Sequence, residues 1–189
     1  HWFYGPGSDG DEVRGLAVDG EGRVYAAGAF VSTDLDVGGT SLASNGVWDL
    51  FLARFTSELN PLWVRSGGGT GTDHAFALGL DAAGHPILSG LAGNAAFLLD
   101  GISVAEQGVL QAGFDSLGNA LWAESHGGSL PQFDQSNAVA SAPNGGVLLG
   151  IKFQSASIDF GDGTVLNSSG GFINAEVGLV RRSSPLGLR

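Results

Sequence analysis

A nine-residue block occurs twice in this chain, 59 positions apart: Phe55-Thr-Ser-Glu-Leu-Asn-Pro-Leu-Trp63 and Phe114-Asp-Ser-Leu-Gly-Asn-Ala-Leu-Trp122. Phe, Ser, Asn, Leu and Trp coincide, and at the same offset Ser66, Gly68 and Gly69 meet Ser125, Gly127 and Gly128. Self-similarity at about sixty residues means that each copy is one supersecondary unit, which buries its apolar face against the next copy. Trp2-Phe-Tyr-Gly-Pro-Gly repeats the Trp-plus-glycine ending 61 residues ahead of Trp63, so an earlier unit ends there.

A second block fixes the kind of unit. Asp19, Gly22 and Gly28 recur 62 positions later as Asp81, Gly84 and Gly90, and Asp11 recurs as Asp73. The third copy, Ala140 to Gly150, keeps the final glycine but has Ser141 where the Asp is expected. Each block is an apolar strand, a turn rich in Asp, Asn and Gly, and a second strand, which is the signature of a hairpin.

Strands are expected near 13–18, 23–30, 49–55 and 61–66, then 75–80, 86–91, 108–114 and 120–125, then 137–141, 146–153 and 171–180. A long loop, Asp34 to Leu42, separates the second and third strands of the first unit, and segments of helical period with caps are absent. Four strands per unit is the count of a propeller blade. The expected fold is all-β, a single repeat domain forming a partial β-propeller of about three four-stranded antiparallel blades. The units run over about 5–66, 67–125 and 126–189, with 1–4 the outer strand of a preceding blade. Three blades are too few to close a ring, so the chain reads as an open fragment whose neighbouring blades come from missing sequence or another chain.

Composition narrows the function classes. Eight Lys plus Arg against nineteen Asp plus Glu give a net charge of -11, which repels phosphate backbones and argues against a nucleic-acid partner. No apolar run approaches the roughly twenty residues that cross a bilayer, so no membrane insertion is expected. The absence of cysteine removes disulfides, thiolate nucleophiles and Cys-ligated zinc. The absence of Met, with an aromatic β-like start, reads as a piece of a longer chain that a signal peptide could precede.

With Asp-x-x-Gly-x-Val-Tyr-x-x-Gly at Asp19 to Gly28, Asp49-Leu-Phe-Leu-Ala-Arg-Phe55 and a closing Leu62-Trp63, the unit resembles the SBBP family of bacterial β-propeller repeats. The second unit departs from that pattern at Gln107 to Phe114, and the third lacks the Trp. The resemblance implies a propeller fold in a large secreted or cell-surface protein; it does not imply an activity. Phe114-Asp-x-x-Gly-x-x-x-Trp122 is also similar to the tryptophan-docking motif of quinoprotein propellers, without counterparts to their cofactor-binding residues.

Trp2, Trp63 and Trp122 recur at one strand position, as packing between blades requires. Trp48 does not recur, lies beside an expected loop, and is the ligand-binding candidate. Asp9 and Asp11, Asp34 and Asp36, and Asp159 and Asp162 sit on glycine-bearing loops and offer hard oxygen ligands for calcium, with turn capping as the competing role. Asp36 and Asp159 lie in similar segments, Leu35-Asp-Val-Gly-Gly-Thr40 and Ile158-Asp-Phe-Gly-Asp-Gly-Thr164. No other cofactor is implied. The four histidines make no zinc motif, Asp73-His74 has no nucleophile elbow to serve, and Ser66-Gly-Gly-Gly-Thr-Gly71 has neither the Lys nor the helix of a phosphate loop. Asn167-Ser-Ser169 is a formal glycosylation sequon.

A repeated core without repeated chemistry points to a non-enzymatic binding or scaffold module that contacts a protein or glycan through propeller loops. The alternative is a glycan-active enzyme using carboxylates such as Asp34, Asp36 or Asp159, which would have to lie within about 5 to 10 Å of one another.

Overall fold

The computed structural model describes residues 3–4, 10–93, 96–142, 146–169 and 176–182. A short strand, β1 (Phe3–Tyr4), comes first. The first sheet follows with β2 (Glu12–Val18) and β3 (Val24–Phe30), a small hairpin of β4 (Leu35–Val37) and β5 (Thr40–Leu42), then β6 (Asp49–Phe55) and β7 (Pro61–Gly67). The second repeats this order with β8 (His74–Leu80), β9 (Pro86–Ala92), the hairpin β10 (Phe97–Leu99) and β11 (Ile102–Val104), β12 (Gly108–Phe114) and β13 (Ala120–His126). The third contains β14 (Gln135–Ser141), β15 (Val147–Phe153), the hairpin β16 (Ser157–Asp159) and β17 (Val165–Asn167), and β18 (Glu176–Arg182).

Hydrogen bonding orders the large sheets β2-β3-β6-β7, β8-β9-β12-β13 and β14-β15-β18, all antiparallel. Successive sheets pack face on face, with β8 meeting both β2 and β14. The fold is all-β, an open, propeller-like stack of sheets. One 3-10 turn, Pro131–Phe133, is the only helical element among the described residues, and none of these forms a helix long and apolar enough to cross a membrane.

The hairpin turns explain the register. Asp19 Oδ1 accepts the backbone N–H groups of Glu21 and Arg23, Asp81 Oδ1 those of Ala83 and His85, and Asp115 Oδ1 those of Leu117 and Asn119. Such Asx turns hold the chain reversal locally, so each strand pair starts in register. In the β6–β7 turn Thr56 Oγ1 replaces the carboxylate, accepting from Glu58 and Asn60.

The segment Asp34 to Leu42, expected as a loop, is instead mostly the hairpin β4–β5, and every unit has one. Gly38 and Gly39 turn it with φ of 60° and 88°, and Asp100 and Gly101 turn its counterpart with 49° and 84°. Paired positive φ values suit a two-residue hairpin turn. The hairpins also build the core. Phe97, Leu99 and Val104 of the second join Ala27, Leu50 and Leu52 of the first sheet and Leu88, Leu110 and Phe114 of the second in one cluster. Ile158 and Phe160 join Ile87 and Val109 of the second sheet and Leu149, Ile151 and Phe153 of the third in another.

Trp63 and Trp122 occupy matching settings on the outer strands β7 and β13. The first packs against the core shared by sheets one and two, the second against that shared by sheets two and three. Trp2 lies outside the described residues. β1 pairs with β4, Phe3 beside Val37 and Tyr4 beside Asp36.

Candidate functional site

At the end of the sheets opposite the Asx turns, one carboxylate per unit ties loops to the start of the inner strand. Asp11 accepts from the backbone N–H groups of Val31 and Ser32 and from the Ser32 hydroxyl. Asp73 accepts from the N–H groups of Gly69 and Gly93. Asp134, fully buried, accepts from those of Gly128, Gln154 and Ser155 and from the Ser155 hydroxyl. These clasps anchor the loops that surround the entrance to the inner strands.

Just after each clasp the inner strand bulges. The ladder skips Arg14 between Val13 and Gly15, Phe76 between Ala75 and Ala77, and Asn137 between Ser136 and Ala138. A bulge takes one residue out of the pairing pattern and re-aims its side chain. Three equivalent positions on neighbouring inner strands therefore present a cation, an aromatic ring and an amide. Each is joined to the side chain two residues before it. Arg14 Nε lies 2.6 Å from Glu12 Oε1, the Phe76 ring stacks on His74 at 4.9 Å and 14°, and Gln135 Nε2 donates to Asn137 Oδ1 at 2.8 Å.

The first two pairs also meet each other. The Arg14 guanidinium carbon stands 5.8 Å from the Phe76 ring centre, and Glu12 Oε1 is 3.9 Å from His74 Nε2. Trp48 extends the row, its ring 4.9 Å from that of His74 and tilted by 33°. It is half-buried, in a bridge to Thr72 rather than in a free loop. The result is a continuous array of indole, imidazole, phenyl and guanidinium groups with a carboxylate beside it.

Burial pushes the His74 imidazole below its ordinary pKa; Glu12 opposes that shift and Arg14 adds to it. The ring is therefore neutral at pH 7 and serves as a stacking surface rather than a cation. Behind Trp48, burial raises the Asp49 carboxyl, the backbone N–H of Asn45 acts against this, and the charge of Asp73 adds to it.

The acidic candidates are dispersed. Asp11 is a clasp. Asp36 Oδ1 accepts from the N–H of Gly39, Asp159 Oδ1 from that of Gly161 and Asp162 Oδ1 from that of Thr164, so all three brace the turns of small hairpins. Asp36 and Asp159 stand at the same hairpin position in units one and three, and those hairpins pack into separate cores. Asp34 is exposed at the entry to β4, and Asp9 lies outside the described residues. Among the described residues no three His, Asp or Glu side chains gather into a group that could hold a metal ion.

Glu12, Arg14, His74, Phe76, Gln135 and Asn137 escape a search for repetition because their identities differ from unit to unit. The signal that finds them is spacing: Asp11, Asp73 and Asp134 stand one residue before each pair. No protein-family model and no curated protein sequence matches this chain.

Proposed function

We propose that the chain is a non-enzymatic binding or scaffold module whose clasped loops and bulged inner strands contact a protein or glycan partner. One observation carries this reading: equivalent bulges on a repeated backbone present unlike side chains, Arg14, Phe76 and Asn137. A purely structural repeat has no need of that variety, whereas a recognition surface is made of it. Aromatic faces supply broad apolar contact, and the guanidinium, carboxylate and amides supply directed hydrogen bonds, the mixture with which sugars and peptide surfaces are bound. The resemblance to SBBP repeats supports a secreted or cell-surface bacterial setting.

The test is a glycan array together with capture from extracellular bacterial material, using the wild-type chain and a Phe76→Ala, Arg14→Ala variant. A ligand retained by the wild type and lost by the variant supports the reading. Ligands bound equally by both place recognition elsewhere, and no ligand at all counts against it.

A further inference from the structure

The second sheet brings a carboxylate, an imidazole and an amide together where it meets the third. Glu124 and His126 lie two residues apart on β13, opposite Gln111 and Val109 of β12, so all four share one face of the sheet. Val109 on that face is buried in the core joining sheets two and three. Glu124 Oε2 is 3.5 Å from His126 Nε2, and Glu124 Oε1 accepts from Gln111 Nε2 at 2.8 Å. The carboxylate thus has the imidazole at one oxygen and the amide at the other.

Three buried atoms on this face have no hydrogen-bond partner among the described residues: His126 Nε2, Gln111 Oε1 and the hydroxyl of Ser89, which stands across the ladder from Gln111. Gln111 is 1% exposed and Ser89 is fully buried, so these polar groups work against stability as they stand. The fold does not require them. By register the first sheet has Leu52 in place of Gln111, Ala27 in place of Ser89, and Arg65 and Gly67 in place of Glu124 and His126.

Distance separates a metal site from an ordinary ion pair. An N–H···O bond closes at about 2.7–3.2 Å, which the imidazole and carboxylate do not reach. Two ligand atoms bonded at about 2.0–2.2 Å to one tetrahedral zinc ion stand about 3.4 Å apart, which they match. An amide has two ends of nearly equal size. Turned over, Gln111 sets its carbonyl oxygen beside the carboxylate, an arrangement of two acceptors that calls for a cation between them, and its NH2 group becomes a donor on the side of the Ser89 hydroxyl.

We propose that Glu124, His126 Nε2 and the turned Gln111 carbonyl bind a divalent ion of the zinc class, with water completing the shell. The imidazole selects such ions over calcium and magnesium. The Glu124 and His126 side chains are 28% and 15% exposed, which gives the ion and its water a way in. The His126 ring is held against buried Phe160 of the third unit, 5.1 Å between centres, so the ion ties β12 to β13 and braces the seam beside them.

Calorimetric titration of the full chain with zinc chloride should show one tight site that calcium does not compete for. His126→Gln should weaken it by more than the about 10–100-fold that loss of an outer-shell partner costs. Gln111→Leu, which copies Leu52, should leave the zinc-free chain as stable as the wild type or more so, yet weaken zinc. His85→Ala, which breaks the contact between His85 and Asp81 in an Asx turn, should bind zinc as the wild type does. Should His126→Gln fail to fold, nitrogen NMR of the wild-type histidine rings decides, with a zinc-induced shift expected at His126 Nε2. No zinc uptake by the wild type, uptake indifferent to His126→Gln or to Gln111→Leu, equal competition by calcium, or an unshifted His126 Nε2 overturns the proposal.

Discussion

Trp63 Nε1 donates to the Ser116 carbonyl at 3.1 Å, from the outer strand of the first sheet to the outer turn of the second. Two arginines converge on the same turn, Arg54 on the Ser116 carbonyl and Arg65 on those of Leu117 and Gly118. The docking of neighbouring sheets thus rests on donors from one unit meeting the unpaired carbonyls of an Asx turn in the next, above a shared apolar core.

Replacing the indole donor separates these contributions. Trp63→Phe keeps much of the apolar contact and removes the bond to Ser116, so a loss of about 1 kcal/mol is expected. Trp63→Ala also opens a cavity, and a loss of about 3–5 kcal/mol is expected from urea denaturation. Equal effects of the two substitutions would show that the hydrogen bond, not packing, holds the sheets together.

Leu59 and Gly118 occupy the same position in equivalent turns, with φ of 64° and 82°. A left-handed conformation costs a non-glycine residue about 1 kcal/mol, so Leu59→Gly should raise the denaturation midpoint. Gly118→Ala should lower it by more than that amount. There the same backbone cost is joined by a clash, because a Cβ would lie 2.8 Å from the Trp63 ring.

Asp134→Ala is expected to be more damaging than Asp11→Ala. Its carboxylate is fully buried, and its loss strands the buried donors of Ser155 and those of Gly128 and Gln154, at about 1–3 kcal/mol per unsatisfied group before relaxation. Asp11→Ala should cost less, because its surroundings admit water to the freed amides. Thermal melts of the two variants side by side check the order.

Two groups give acid sensitivity of known sign. Burial pushes the Asp19 carboxyl up, but the Arg23 side chain and the backbone amides of Arg23 and Glu21 outweigh this and bring it from 3.8 to about 2. Its contribution is complete above pH 3.8 and is lost as the pH falls toward 2; Asp19→Asn should flatten that limb. His74 is held below 6.5, so the unfolded chain takes up its proton first and stability declines as the pH drops beneath 6.5. His74→Phe, which keeps a ring between Trp48 and Phe76, should remove that decline in urea titrations on either side of pH 6.5.

Most large strands are legible in the sequence because short apolar runs recur at the unit spacing and an Asp-x-x-Gly or equivalent turn punctuates them. The small hairpins are harder to see, since a three-residue strand has no measurable period. Gly38-Gly39 and Asp100-Gly101 are their only short-range markers. The pairing of Trp63 and Trp122 with successive cores follows from their recurrence. The candidate site does not, for it is written in the positions where the units disagree. Asp36, Asp159 and Asp162 look like ligands in a linear reading, and only coordinates show their oxygens committed to turn amides.

The clasps have a bearing on engineering. By binding the amides just after β3, β9 and β15, Asp11, Asp73 and Asp134 fix the exit of each second strand whatever comes next. The connections that follow, 31–48, 93–107 and 154–175, already differ in length without disturbing the sheets beside them. A foreign peptide spliced beyond a clasp should therefore be displayed without unseating its host, which makes this scaffold a natural site for loop grafting.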